Sequence, residues 1–148
     1  MLEVTHTEFA KASPQSVWKF WSHVETWSVW DKGVEWCKLE DNGIFKVGAK
    51  ASLMPKAAPN PVSIEITECE ENRSFTDIAK MDLGLLKLIH SLEVEKDGVK
   101  ITHTMQIFPH NEATKAIFEQ HIFPKMQKEL PESVKTLAAL AEKVCLET

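Results

Sequence analysis

HIFPKMQKELPESVKTLAALAEKV, residues 121–144, is the stretch that decides the fold, because its apolar residues recur at steps of three or four. An α-helix has 3.6 residues per turn, so this spacing predicts a helix with one continuous apolar face. Pro124 and Pro131 interrupt the pattern, and we expect kinks or short breaks there, since proline lacks a backbone donor. A wide apolar surface must cover this face, whose members are Ile122, Met126, Leu130, Val134, Leu137, Ala141 and Val144.

Length and charge limit the class of protein to which the chain belongs. Its 148 residues fit one domain, expected to span residues 1–148, and its 17 basic and 22 acidic side chains give a net charge of −5. The sequence has no Lys/Arg-rich block, which argues against nucleic acid and anionic membranes as partners. It also lacks an apolar run of membrane-spanning length or a secretory leader pattern at its N-terminus. Three cysteines without metal-type spacing favour free thiols, and we expect a soluble, cytoplasmic protein whose oligomeric state is left open.

The N-terminal part combines a strand with a short helical pair. Residues 2–12 alternate between apolar and polar side chains, which predicts a first strand. Ser13 followed by Pro14 is a helix start, because serine caps a free first-turn N–H and proline fits the first helical position. All five tryptophans follow between residues 18 and 36. They are interpreted either as core residues that pin the helices to a sheet, or as the aromatic wall of a binding cavity.

From Gly33 the alternation predicts a run of short antiparallel strands. Asn42-Gly43 and Asp97-Gly98 are typical of type I′ hairpin turns, which need positive φ at both central residues. The proline-rich segment 55–61 predicts an exposed loop. The expected strands cover residues 34–40, 45–54, 62–67, 74–80, 85–95 and 99–108, with a turn at Glu70–Arg73. The first two strands are joined at Asn42-Gly43 and the last two at Asp97-Gly98.

The turn positions set the register and therefore which side chains share a face. A two-residue loop at Asp97-Gly98 would pair Leu92 with His103 and His90 with Met105. A turn at Glu71-Asn72 would pair Glu68 with Phe75, Ile66 with Asp77 and Ile64 with Ala79, and the next turn would pair Phe75 with His90 and Asp77 with Leu88. Together these pairings make Asp77, His90 and His103 diagonal neighbours on an otherwise apolar concave face.

Several short motifs accompany this order of elements: S-P-x-x-V-W from Ser13, W-x-x-W at Trp27 and Trp30, F-K-V-G from Phe45, R-S-F-T from Arg73, the strand that carries His90, T-H-T from Thr102 and L-P-E-S-V-K-T-L-A from Leu130. With these motifs the chain resembles the START-like (SRPBCC) superfamily, which includes polyketide cyclase/dehydrase and lipid-transport proteins and the birch pollen allergen. It implies an α+β helix-grip fold, in which a curved antiparallel β-sheet wraps around a long C-terminal α-helix, with a short helical pair after the first strand. It further implies an apolar cavity between sheet and helix.

Two classes of function agree with such a cavity. The first is the binding or carriage of a small hydrophobic molecule, such as a lipid, a polyketide or another aromatic or isoprenoid compound. The second is a polyketide cyclase/aromatase-like enzyme that uses His90 or His103 for proton transfer. The residues expected to line the cavity are Trp21, Trp30, Ile64, Ile66, Phe75, Asp77, Leu88, His90, His103, Met105, Ile107, Val134 and Leu137.

Each polar candidate also has a purely structural interpretation. His90 and His103 could be core histidines that bond to threonine, backbone or water, and Asp77 could hold the tautomer of one ring. A metal site built from these three side chains is disfavoured by their diagonal spacing, so neither a metal nor a cofactor is expected. The other histidines, His6, His23, His110 and His121, are expected on the surface or in loops, and the absence of tyrosine excludes a phenolic acid catalyst.

Overall fold

The computed structural model describes residues 1–147, apart from the side chains of Asn42 and Glu147. It contains one seven-stranded antiparallel sheet, two short N-terminal helices, a short helix after the last strand and a long C-terminal helix, so the predicted α+β helix-grip fold is confirmed. The strands are β1 (Leu2–Ala10), β2 (Val34–Leu39), β3 (Lys50–Pro55), β4 (Val62–Glu70), β5 (Ser74–Lys80), β6 (Gly84–Glu95) and β7 (Gly98–Pro109). The helices are α1 (Pro14–Ser22), α2 (Trp27–Trp30), α3 (Glu112–Ile117) and α4 (Phe123–Glu147).

The curved sheet has the strand order β1-β7-β6-β5-β4-β3-β2, and α4 packs across its inner face. Helix α4 buries one stripe of side chains and leaves Lys135 exposed. Burial of this stripe, which the apolar periodicity predicts, is confirmed for its middle part, where Leu130, Val134, Leu137 and Ala141 are buried. Its outer members, Ile122, Met126 and Val144, are half-buried. No helix among residues 1–147 is both long and apolar enough to cross a membrane.

The two prolines of the C-terminal segment have different effects. Pro131 lies inside α4, which continues through it, so the break expected there does not occur. Pro124 follows a π-helical turn at Phe118–Ile122, where the N–H of Phe123 bonds to the carbonyl of Phe118. A π-helical turn is a rare irregularity within helices, and it interrupts the regular helix just before Pro124, whereas the sequence predicts an interruption at the proline itself.

The N-terminal segment agrees with its sequence signals. Ser13 caps α1 by accepting a hydrogen bond from the Ser16 N–H, and Pro14 is the first helical residue. Because α1 and α2 turn their large rings inward, four of the five tryptophans are buried. Trp36 on β2 is the exception, with 40% of its surface exposed.

The hairpin expected at Asn42-Gly43 is wrong. Residues Glu40–Asn42 form a 3₁₀ turn in which Asp41, not Gly43, has positive φ. The strands still pair, with Leu39 opposite Ala51, but an irregular connection replaces the tight turn. Phe45 explains this connection, because its ring packs 5.1 Å from that of Phe75, which draws the chain over the end of the core.

The second hairpin exists, but its register differs from the predicted one by two residues. Glu95 pairs with Gly98, so the loop residues are Lys96 and Asp97. Gly98 does not have positive φ; a Cβ atom there would lie 2.1 Å from the carbonyl oxygen of Ala10, so β1 requires the glycine. Leu92 therefore pairs with Ile101, and His90 pairs with His103.

The registers on the other side of β6 follow the prediction more closely. Asp77 lies opposite both Leu88 and Ile66, as expected. A bulge between Ile66 and Glu68 shifts the end of β4, so Phe75 pairs with Cys69 and not with Glu68.

Candidate functional site

A row of side chains crosses the inner face at the middle of the sheet. The pairings place His6, His103, His90 and Phe75 side by side on β1, β7, β6 and β5. The rings of His90 and His103 are 4.6 Å apart, and their residues are only 3% and 5% exposed. Burial of both histidines, expected from the alternation, is confirmed.

Hydrogen bonds fix the proton positions of the two rings. The Trp21 indole N–H donates to Nε2 of His103 over 3.2 Å, so that nitrogen must carry a lone pair. Nδ1 of His90 donates to the carbonyl oxygen of Phe75 over 3.2 Å, since a carbonyl only accepts. The His90 ring also stacks on the Phe75 ring, with centroids 3.9 Å apart and planes 6° from parallel. Both imidazoles are therefore held in place by the protein itself.

Burial keeps this pair uncharged. Loss of solvation lowers the pKa of His90 to about 3, although its bond to the Phe75 carbonyl acts in the opposite direction. Loss of solvation, followed by repulsion from His90 and His6, lowers the pKa of His103 well below its ordinary value. Two neutral imidazoles are the expected state at pH 7.

Tryptophans fill the space around these rings. Trp21 contacts both histidines at 5.8 Å, Trp30 contacts His103 at 5.5 Å, and Trp27 stacks on Phe75 at 5.8 Å. The Trp30 indole N–H is the one sealed side-chain nitrogen or oxygen without a hydrogen-bond partner among the described residues. Around the two histidines the aromatic residues are therefore packed core.

Asp77 is a second polar group on the inner face, two residues along β5 from Phe75. It is 3% exposed, and desolvation followed by repulsion from Asp31 raises its pKa to about 8. Its carboxyl forms no hydrogen bond with the described residues, yet it is not among their sealed unpartnered atoms. It therefore does not hold the tautomer of either histidine, and its oxygens border space that a water molecule can enter.

The inner face is incompletely covered beside Asp77. Leu88 and Met105 pair with each other and are only half-buried, although the inward neighbours of each on its own strand are buried. Val4, which pairs with Met105, is also half-buried. A residue in the middle of a covered face keeps exposed surface only where the covering layer leaves a gap. We call this gap, bordered by Val4, Asp77, Leu88 and Met105, the inner-face cleft.

The remaining expected lining residues lie on the same inner surface but are packed. Each is 3% exposed or less, so these residues belong to the packed core next to the inner-face cleft. These packed residues are Trp21, Trp30, Ile64, Ile66, Phe75, Ile107, Val134 and Leu137.

His6 was expected on the surface, and this expectation is wrong. It is half-buried on the inner side of β1, and its Nε2 lies 2.7 Å from a carboxylate oxygen of Glu8. The alternation of Leu2, Val4 and His6 in the sequence already places this histidine with the apolar face.

The described residues contain no group of three or more His, Cys, Asp or Glu side chains arranged to hold a metal ion.

Comparison with known proteins identifies the sequence family and the fold. The family described as "Polyketide cyclase / dehydrase and lipid transport" matches residues 1–142. A comparison with curated protein sequences gives no match.

Solved structures with this fold come from several kinds of protein. A protein from Thermus thermophilus, TTHA0849, is 14% identical, with a TM-score of 0.75 and coverage of 97% of this chain and 99% of that one. Ara h 8.0201 is 11% identical, with a TM-score of 0.71 and coverage of 99% of both chains. The di-domain ARO/CYC StfQ from the steffimycin biosynthetic pathway is 8% identical, with a TM-score of 0.76 and coverage of 96% of this chain and 51% of that one. At these identities the similarity establishes the fold alone.

Proposed function

Because this chain belongs to the polyketide cyclase / dehydrase and lipid transport family, we propose that it binds or carries a small hydrophobic molecule in the inner-face cleft. The observation that carries the proposal is the half-burial of Leu88 and Met105 between buried neighbours. Exposed apolar surface inside a fold costs about 25 cal/mol per Å², and a ligand that covers it recovers this free energy.

The chemistry of the cleft defines the class of ligand. Val4, Leu88 and Met105 offer no hydrogen bonds, and Asp77 is the one polar side chain among the four bordering residues. A mostly apolar pocket with very few polar groups is typical of sites for lipids and for aromatic or isoprenoid compounds.

The enzymatic alternative, a cyclase that uses a cavity histidine, receives less support. The lone pair on Nε2 of His103 accepts from Trp21, and Nδ1 of His90 donates its proton to the Phe75 carbonyl, which leaves Nε2 of His90 as the basic nitrogen of that ring. A general base with a pKa near 3 is poorly matched to proton transfer at pH 7. We therefore propose that the histidines support the aromatic core next to the ligand and do not act as catalysts.

A reducing, cytoplasmic setting is part of the same proposal. Cys37 is buried and Cys69 half-buried, and neither forms a disulfide with the described residues. A cysteine without a disulfide is the usual state in a reducing compartment.

Ligand binding can be measured by native mass spectrometry together with the fluorescence of the buried tryptophans. We expect one bound molecule per chain for at least one of three probe classes: fatty acids, sterols and aromatic polyketides. Leu88→Phe should weaken binding by filling the cleft, whereas Lys87→Phe, on the outer face of the same strand, should leave it unchanged. No bound mass and no fluorescence response with any probe would make the protein a packed domain without this function.

A further inference from the structure

We propose that Asp77 is the polar anchor of the inner-face cleft and that it selects ligands with a carbonyl oxygen, to which its carboxylic acid donates a hydrogen bond. The inference rests on the proposed function, because it requires that a ligand occupy the cleft. It adds the chemical class of that ligand: a neutral apolar molecule with a ketone, quinone or ester carbonyl.

The position of Asp77 places its carboxyl group beside the inner-face cleft. Asp77 lies on the inner face of β5 between Ile66 and Leu88, and Leu88 pairs with Met105 on the next strand. The acid therefore borders the gap in front of Leu88 and Met105. The carboxyl group is only 3% exposed and forms no hydrogen bond with the described residues, so this gap is where a ligand or water can meet it.

The surroundings of Asp77 favour its uncharged form. The groups around it are acidic or neutral: Asp31 repels it, the Cys37 thiol has its own pKa raised by burial and then by Asp77, and His90 on the neighbouring strand is uncharged. No cation of the described residues contributes to its titration, so nothing compensates for ionisation in an apolar site. With its pKa raised to about 8, Asp77 is mainly protonated at neutral pH.

A protonated carboxyl group needs an acceptor for its hydrogen bond. It has one O–H donor, and a buried donor without an acceptor costs about 1 to 3 kcal/mol. The neighbouring Val4, Leu88 and Met105 side chains offer no oxygen acceptor. Water can accept this bond in the free protein, but a ligand that displaces the water must supply an acceptor of its own. A ligand carbonyl supplies it, in the way that an apolar site can keep an acid neutral so that it donates to a carbonyl oxygen.

Matched small aromatic probes test this selection directly. We would compare 2-acetylnaphthalene with 2-isopropenylnaphthalene, which has nearly the same shape but a CH₂ group in place of the carbonyl oxygen. At pH 6.5 the ketone should bind about tenfold more tightly, which corresponds to one hydrogen bond of about 1.4 kcal/mol. The preference should disappear as the pH rises through about 8, because the ionised acid cannot donate.

Two variants separate donation from charge. Asp77→Asn retains an N–H donor of similar size, so the ketone preference should remain and its pH dependence should vanish. Asp77→Leu removes the donor, and both probes should then bind equally. Circular dichroism and thermal unfolding would check folding, and the pH titration of the unmodified protein needs no variant.

The outcomes distinguish this inference from the function on which it rests. Equal binding of both probes by the unmodified protein would overturn the inference and leave hydrophobic ligand binding intact. A preference for 1-(2-naphthyl)ethylamine over both, growing with pH, would also overturn it, because it would show a carboxylate that binds a cation. If no probe of any class binds, both the inference and the proposed function fail.

Discussion

Among single residues, Trp21 and Trp30 form a natural comparison, because both indoles are buried and both contact His103. Their N–H groups differ: that of Trp21 donates to His103, whereas that of Trp30 has no partner among the described residues. We expect Trp21→Phe to lower the free energy of unfolding by about 1 to 3 kcal/mol more than Trp30→Phe. The excess arises because only the first change leaves a buried ring nitrogen unsatisfied.

Chemical denaturation of the two variants at pH 7 would measure this difference. Both changes remove the same ring atoms, so the loss of packing is similar. Most of the difference in the free energy of unfolding between the two variants therefore comes from the hydrogen bond. Equal midpoints would show that the Trp21–His103 bond contributes nothing.

Individual inner-face residues could be predicted because side-chain direction alternates with a period of two. The predicted register of β6 and β7 is wrong by two residues, an even number, so His90 and His103 remain on the inner face. The same error changes their relation from diagonal to directly opposite. The bond from Trp21 to His103 could not be predicted, since it depends on how α1 packs against the sheet.

Among the elements, α4 carries the clearest test of packing. Leu137 is fully buried against the inner face, and Leu137→Ala should lower the free energy of unfolding by about 2 to 5 kcal/mol. Val134→Ala should also be destabilising, but by less, because it removes fewer atoms. Lys135→Ala is the control, since Lys135 is exposed on the same turn. A urea series in which all three variants share one midpoint would contradict the burial pattern.

Turns were harder to predict than helices and strands. Asn-Gly and Asp-Gly favour type I′ turns only when the glycine is there for its positive φ. Gly98 is instead required by the approach of the Ala10 carbonyl, a contact between β1 and β7 that are far apart in sequence. Gly43 lies in a connection whose path follows the packing of Phe45 on Phe75. Local turn signals cannot report such distant contacts.

For the whole molecule, apolar periodicity sufficed to predict one sheet wrapped on one helix. It could not show which part of the inner face is filled. From the sequence, the five tryptophans could be core residues or the wall of a binding cavity. Four of them are buried core in the structure. The gap at Leu88 and Met105 depends on the volumes of facing layers, which a sequence pattern does not contain.

The dependence of global stability on pH should reflect two opposite shifts of pKa. His90 and His103 have lowered pKa values, so the unfolded chain, with histidine values of about 6.5, binds more protons as the pH falls from there towards 3. The stability due to neutral histidines is therefore lost on the acid side. Asp31, whose pKa is raised to about 6, and Asp77 oppose this loss between about pH 4 and 6, because the folded protein keeps protons that the unfolded chain has released.

Between about pH 7 and 8 the two histidines of the unfolded chain, with pKa values of about 6.5, are mostly deprotonated, so Asp77 contributes most of the difference in bound protons and sets the sign of the slope. The folded protein retains its proton up to about pH 8, whereas the unfolded chain has lost it above about pH 4. The free energy of unfolding should therefore fall as the pH rises through this window, by up to about 1.4 kcal/mol per unit. Urea denaturation at half-unit steps should show this decline in the unmodified protein and no decline in Asp77→Asn. The matched variant His90→Gln/His103→Gln should retain the alkaline decline and lose the acid one, and an unchanged alkaline slope in Asp77→Asn would assign the shift to another group.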